Sequence, residues 1–295
     1  MKVVGTFAAV RDLAAGVIGL VPTMGFLHEG HLALVDTARR ECDTVVMSLF
    51  VNPLQFDETR DLSRYPRDSG RDAHLAAEQG VDVLFAPELE EMYPRPQLTR
   101  VRVSDVTEGL EGPLRPGHFE GVATVVAKLF IGTGADRAYF GRKDAQQLVT
   151  VTRMAFDLSM PVEVVPVPIV REPDGLALSS RNVFLSPEER DRASGISAGL
   201  MAAAGAAEDG ERSAEELETM VAGHLGDLEV DYVTLADADS AQPVRRLEQD
   251  SFLAVAARVG NTRLIDNVFF RVTSAGIEAD RGHRLEGPSI LYEGR

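Results

Sequence analysis

The stretch PTMGFLHEGH, residues 22–31, follows the apolar run VIGLV and sets two histidines around a glutamate and a glycine. A zinc-protease helix needs H-E-x-x-H, which puts two ligands on one face, and the gap from His28 to His31 is one residue shorter. Phosphate chemistry fits better. A helix that starts here would present N–H donors and partial positive charge, both of which attract phosphate. Gly25 lets the chain turn sharply and Gly30 permits close backbone approach. His28 and His31 can then face the same phosphate and, as donors, stabilise charge developing on its oxygens. In an isolated H-x-x-H one histidine is more readily an ordinary cap or core residue; the strand-to-helix context reverses that preference in favour of phosphate.

Other polar groups also follow apolar runs. After VVMSLF come Asn52, Pro53 and Gln55, uncharged amides suited to hydroxyl or carboxylate groups, although a plain Asn-Pro turn explains them as well. After RAYF comes Gly141-Arg142-Lys143-Asp144, with Gln147 one turn beyond Lys143. Lys143 is a cation for phosphate, and Asp144 is an acceptor for a ribose hydroxyl or a helix cap; both are common at helix starts. In REPDGLALSSRN, residues 171–182, Asp174-Gly175 makes a turn and Ser179-Ser180-Arg181 offers two hydroxyls and a guanidinium to a triphosphate. We expect a loop that closes over nucleotide, the bland alternative being a solvated linker. Arg115, His118 and Glu120 lie in a Gly/Pro-rich stretch ahead of a helix, as a lid or an interface loop.

The frame for these residues is legible from periodicity. VIGLVPT, TVVMSLFVN and DVLFAP read as strands; GHLALVDTARREC, with Leu32, Val35 and Ala38 on one face, and SGRDAHLAAEQG read as the helices between them. That βαβαβ order with continuously apolar strands predicts a parallel sheet covered on both faces, with ligands beyond the carboxyl ends of the strands. GVATVVAKLF, RAYF and AQQLVTVTRMAFDL continue the alternation. Then the texture changes. Ser186, Pro187 and Glu189 form a capping-box start, the Ala/Glu-rich stretch 202–217 reads as helix interrupted by a loop, and three strands close the pattern, two joined through Gly260-Asn261. A new domain beginning around 171–186, small and α+β, is expected. From about residue 271 the chain is polar and Gly-rich, with no indicated packed role.

Forty-six acidic against 30 basic residues leave a net charge of −16, which disfavours nonspecific nucleic-acid binding and requires any polyanionic ligand to be held by a local cluster of donors. No apolar stretch approaches the roughly 20 residues of a membrane span. The single cysteine, Cys42, supports neither an intramolecular disulfide nor a cysteine metal site and reads as structural. A cytoplasmic enzyme is expected.

Taken in order, PTMGFLHEGH, SLFVNPLQF, the Tyr65-Pro66-Arg67 turn, RPGHFEGVATVVAKLF, GRKDAQQL, DGLALSSRN and RLIDN resemble the pantothenate synthetase (pantoate–β-alanine ligase) family over about residues 17–269. That family belongs to the nucleotidyltransferase superfamily of class I aminoacyl-tRNA synthetases, so HEGH looks like its HIGH signature and LSSRN like its KMSKS loop. The resemblance implies an α/β fold: a Rossmann-like parallel-sheet domain binding ATP and pantoate over residues 1–170, and a smaller C-terminal α+β domain over 171–295 that carries the nucleotide-closing loop at its start. It also implies adenylation of pantoate by ATP, with β-alanine then displacing AMP. His28, His31, Lys143 and Arg181 would be catalytic. Met24, Gly141, Asp144, Ser179 and Ser180 join them in binding ATP, and Gln55, Gln147, Met24 and Asn52 would hold pantoate. Mg²⁺ would travel with ATP and need no protein ligand, and the assembly would be a homodimer without nucleic-acid or membrane partners. Leu178 stands where many relatives have Met, a swap of similar volume. A nucleotidyltransferase that stops at its nucleotidylated product would not need Gln55 and Gln147. A non-catalytic relative would have lost His31, Lys143 or the Ser-Ser-Arg loop, and all are present.

Overall fold

The computed structural model describes residues 1–56 and 65–292. The chain divides into two compact units, Met1–Gly141 with Thr150–Val167, and Arg142–Val149 with Pro168–Arg295. Its elements begin with strand β1 (Lys2–Val4), helix α1 (Phe7–Leu13), strand β2 (Ile18–Thr23), helix α2 (Glu29–Glu41) and strand β3 (Thr44–Leu49). Helix α3 (Ser69–Glu78), strand β4 (Val83–Phe85) and the short helices α4 (Leu89–Met92) and α5 (Glu111–Leu114) come next. Helix α6 (His118–Thr133), strand β5 (Arg137–Gly141), helix α7 (Ala145–Asp157), whose residues up to Val149 belong to the second unit, and strand β6 (Glu163–Val167) follow.

Strands β1 to β6 form one parallel sheet in the order β1-β4-β3-β2-β5-β6. Adjacent strand residues point to opposite faces, and Leu20, Val21, Val45 and Val46 are all fully buried, so the sheet is covered on both sides. On one face Leu34, Val35 and Ala38 of α2 share a core with Val21, Val45 and Met47. Leu32, expected on this stripe, is only half-buried; the position one turn before Ala38 is Leu34. Strand order reverses between β2 and β5, where an open parallel sheet leaves a crevice beyond its carboxyl ends.

The second unit contains β7 (Val170–Arg171), helices α8 (Pro187–Glu208) and α9 (Ala214–Ala222), and strands β8 (Glu229–Asp237), β9 (Ser251–Val259), β10 (Thr262–Thr273), β11 (Gly276–Asp280) and β12 (His283–Arg284). β11-β10-β9-β8 is an antiparallel sheet. β9 and β10 meet through Gly260-Asn261, with Gly260 at φ 58°. α8 starts on the expected reciprocal cap: the Ser186 hydroxyl accepts from Glu189 N (3.2 Å) while the Glu189 carboxylate accepts from Ser186 N (2.9 Å). Ile196, Leu200 and Ala204 of α8 and Leu217 and Val221 of α9 bury Leu235, Leu253 and Val255.

Residues 272–292 are packed, contrary to their polar composition. β11 extends the antiparallel sheet, β12 pairs in parallel with β7, and Ser289 and Leu291 are buried.

Candidate active site

The loop after β2 is braced from two sides. The Thr23 hydroxyl donates to Ser48 O (2.7 Å) and accepts from Gly25 N (3.3 Å), fastening the strand end to β3. Gly25 turns at φ 89° and Phe26 follows at 52°, a left-handed conformation that a bulky residue rarely adopts. α3 holds it there: the buried Asp72 carboxylate accepts from Phe26 N (2.8 Å) and Leu27 N (2.7 Å), and Arg71 Nη1 donates to Leu27 O (2.9 Å). Burial pushes the Asp72 carboxyl above its usual range, against the pull of the two N–H groups. A Cβ at position 25 would stand 2.8 Å from Leu49 and 2.9 Å from Asp72, so space as well as φ demands glycine.

This turn delivers His28 as the N-cap of α2, its Nδ1 accepting from Gly30 N at 3.1 Å. His31 Nδ1 accepts from His28 N at 3.3 Å, and the ring centroids are 4.1 Å apart. A neutral imidazole whose Nδ1 accepts carries its proton on Nε2. Both rings therefore present Nε2–H, the donor form that phosphate oxygens need. Any side chain at position 30 would meet the His28 ring at 2.9 Å.

Past β3, Asn52 caps a 3-10 turn, Pro53–Gln55, and is itself buried. Its Oδ1 accepts from Leu54 N (3.2 Å) and from the Tyr93 hydroxyl (2.8 Å); its Nδ2 donates to Gly121 O (3.1 Å) and reaches Gln55 Oε1 at 3.3 Å. Burial raises the Tyr93 phenol to about 12, so it keeps the proton it donates. Gln55 Nε2 lies 2.9 Å from Met24 Sδ, which brings Met24 and Gln55 together. His118 and Glu120 stand in the first turn of α6 and not ahead of it. His118 Nδ1–H donates to Gln55 O (2.8 Å), which leaves Nε2 to accept from Arg115 Nη1 (3.1 Å), while Glu120 pairs with Arg100 at 2.9 Å. Gly121 lets α6 approach: a Cβ there would stand 2.3 Å from Leu54 O and 2.7 Å from Gln55 N.

In the second unit Lys143 and Asp144 occupy a 3-10 turn, Arg142–Asp144, with Nζ 3.5 Å from Asp144 Oδ1, and Gln147 follows on α7. Asn267 of the RLIDN stretch braces that turn by donating Nδ2 to Arg142 O (2.9 Å) and Lys143 O (2.8 Å). Asp266, its neighbour, grips buried Arg171 through two oxygens (2.6 and 3.1 Å). Ser179 caps a second 3-10 turn, Ser180–Phe184, accepting from Arg181 N at 3.3 Å. Leu176, Ala177 and Leu178 before it are buried and Arg181 is exposed, so this stretch is no solvated linker. Both turns pack on β10.

The first unit thus gathers Met24, His28, His31, Asn52 and Gln55, with Gly141 ending β5; the second gathers Lys143, Asp144, Gln147, Ser179, Ser180 and Arg181. Asp72, Tyr93, Gly121 and Asn267 escaped the sequence reading as supports. Gly121 and Asn267 carried a signal, as parts of RPGHFEGVATVVAKLF and RLIDN. Among the described residues no group of three His, Cys, Asp or Glu could hold a metal ion, and no helix is long and apolar enough to cross a membrane.

The fold defines a Rossmann-like α/β protein whose candidate loops after β2, β3 and β5 leave the carboxyl ends of a parallel sheet. The family model for pantoate-beta-alanine ligase matches residues 2–269. The chain is 52% identical over 266 residues to the pantothenate synthetase of Geobacillus kaustophilus strain HTA426, covering 89% of each protein. With that of Heliobacterium modesticaldum it shares 54% over 260 residues, 86% of this chain and 92% of the relative. The crystal structure of the Thermus thermophilus pantothenate synthetase superposes with a TM-score of 0.86 at 50% identity, covering 90% of this chain and 98% of that one. The Francisella tularensis pantoate-beta-alanine ligase, complexed with beta-gamma ATP and beta-alanine, gives 0.75 at 33% identity, covering 91% and 97%. This chain belongs to the pantoate-beta-alanine ligase family.

Proposed function

We propose that the chain condenses pantoate with β-alanine in two ATP-driven steps, as part of pantothenate and coenzyme A biosynthesis. The pantoate carboxylate attacks the α-phosphorus of ATP and pyrophosphate leaves, giving pantoyl adenylate. The β-alanine amine then attacks the acyl carbon, loses a proton as the amide forms, and expels AMP. Such chemistry depends on positioning and charge stabilisation and needs no nucleophilic side chain.

The observation that carries this reading is the histidine pair: with both Nδ1 atoms engaged by backbone N–H groups, His28 and His31 have Nε2–H as the donor for charge that builds on phosphate oxygens during adenylation. In this proposal Lys143, Ser179, Ser180 and Arg181 serve the same phosphates, Gly141 and Asp144 the nucleoside, and Met24, Gln55 and Gln147 the pantoate. Asn52, engaged on four protein groups, holds Gln55 in place. Mg²⁺ bound to ATP would offset the phosphate charge, and no protein side chain is assigned to hold it. The enzyme is proposed to be a cytoplasmic homodimer, as its family resemblance implies, and sedimentation velocity tests the assembly.

The deciding experiment is AMP release from ATP and Mg²⁺ with pantoate and β-alanine supplied singly and together. Release that requires both is expected. ATP binding without AMP under any combination would leave the fold and remove the enzyme.

A further inference from the structure

Past Phe269, where the family match ends, the chain returns to the stretch that precedes the Ser179–Arg181 loop. β11 pairs with β10, and Arg281 then reaches both carboxylate oxygens of Glu208 on α8 (2.8 and 2.6 Å). Gly282 passes so close to Ile169 O that a Cβ would lie 2.2 Å from it. β12 follows β7 in register, with His283 N donating to Ile169 O (2.7 Å) and Leu285 N to Arg171 O (2.8 Å). The Arg284 guanidinium lies against Gly175, where a Cβ would meet it at 2.8 Å.

The segment ends on a buried carboxylate. Glu172 Oε1 accepts from the Tyr292 hydroxyl (2.9 Å) and from Asn182 Nδ2 (2.8 Å), while its Oε2 accepts from Arg190 Nη2 (2.6 Å). Arg190 Nη1 also donates to the Tyr292 oxygen (2.5 Å), with its guanidinium carbon 5.5 Å from the ring centroid. Asn182 is the residue after Arg181 and sits inside the same 3-10 turn. Tyr292 and Asn182 thus share one oxygen of one carboxylate, a direct mechanical link between the chain end and the loop. Burial raises the Tyr292 phenol to about 12, so it stays a donor at neutral pH.

We infer that residues 276–292 form a strap that holds the Ser179–Arg181 loop in its binding geometry, with Tyr292 as the positioning residue. This rests on the reading of that loop as a phosphate site. A network with every partner in place rigidifies its members, and removing one partner of a buried carboxylate loosens the rest. The strap therefore supplies order to a loop whose own three functional residues are half-buried or exposed.

The test compares the full chain with Tyr292→Phe, which keeps the ring and removes only the hydroxyl, and with Tyr292→Ala. Hydrogen exchange by mass spectrometry should show amides 180–185 exchanging about tenfold faster in Tyr292→Ala, with an intermediate effect in Tyr292→Phe and no change in peptides of β2 and α2. In AMP-release kinetics KM for ATP should rise while KM for pantoate holds. Unchanged exchange at 180–185 in both variants overturns the strap. Faster exchange with an unaltered KM for ATP leaves the strap standing and overturns the phosphate assignment of the loop on which its function rests.

Discussion

His31 accepts the backbone N–H of His28 through Nδ1 at 3.3 Å while His28 accepts that of Gly30 at 3.1 Å, so each ring is oriented by the helix start it caps. Capping and proposed catalysis use opposite nitrogens of the same rings, and the two roles can be separated by substitution.

His31→Ala should lower adenylate formation, measured as pantoate-dependent exchange of pyrophosphate into ATP, by at least about 10²-fold. His31→Glu restores a capping acceptor at the third helical position and recovers thermal stability lost in the alanine variant, while its anion keeps adenylation low. Near-normal exchange in either variant would remove His31 from the chemistry.

Gln55→Ala should raise KM for pantoate well beyond any change in KM for ATP, because the proposed assignment gives its amide, which stands beside Met24, to pantoate and not to the phosphates. The reverse pattern would mean that the two pockets are exchanged.

Gly121→Ala should act on the same pocket without touching substrate. The new methyl carbon would lie 2.3 Å from Leu54 O, and α6 and the Pro53–Gln55 turn must separate. Overpacking of this kind costs about 1–3 kcal/mol, to be read from urea unfolding, and pantoate affinity should fall alongside. Wild-type pantoate affinity would show that the turn tolerates displacement.

Asn267→Ala removes the donor to two carbonyls of the Lys143 turn and should cost about 1–3 kcal/mol of stability together with a higher KM for ATP. Asn267→Asp should be worse, since a carboxylate is an acceptor facing two acceptors. An aspartate variant as stable as wild type would contradict this account of the brace.

Glu208 gives a pH test of the strap's docking. Arg281 and the Ala279 N–H hold its carboxyl below the usual range, with partial burial opposing them. A lowered folded value means that the unfolded chain binds the proton more tightly; the stabilisation is complete above about pH 5 and is lost as pH falls through the folded value. Glu208→Gln should therefore lower stability by roughly 0.5–1 kcal/mol at pH 7, the exposed pair being screened by solvent, with the difference closing in acid. A gap that persists unchanged at low pH would assign the effect to packing.

What the sequence determined by itself was local. Apolar runs and helical stripes specify the βαβ frame, Ser186-Pro187-Glu189 specifies the start of α8, Gly260-Asn261 specifies a hairpin, and the three-residue step from His28 to His31 places both rings at one helix end. Each involves neighbours within a turn or two, where backbone geometry converts spacing directly into position. Tertiary structure decided which supports hold the candidate residues in place. Asp72 meets Leu27 from 45 residues away, Asn267 meets Lys143 from 124, and Tyr292 meets Glu172 from 120. Nothing periodic marks such partners, because their identity depends on how close-packed elements approach one another. The end of the chain makes the same point: its strands pair through backbone N–H and C=O groups that nearly every residue carries, so a polar, Gly-rich composition concealed a packed segment that only folding reveals.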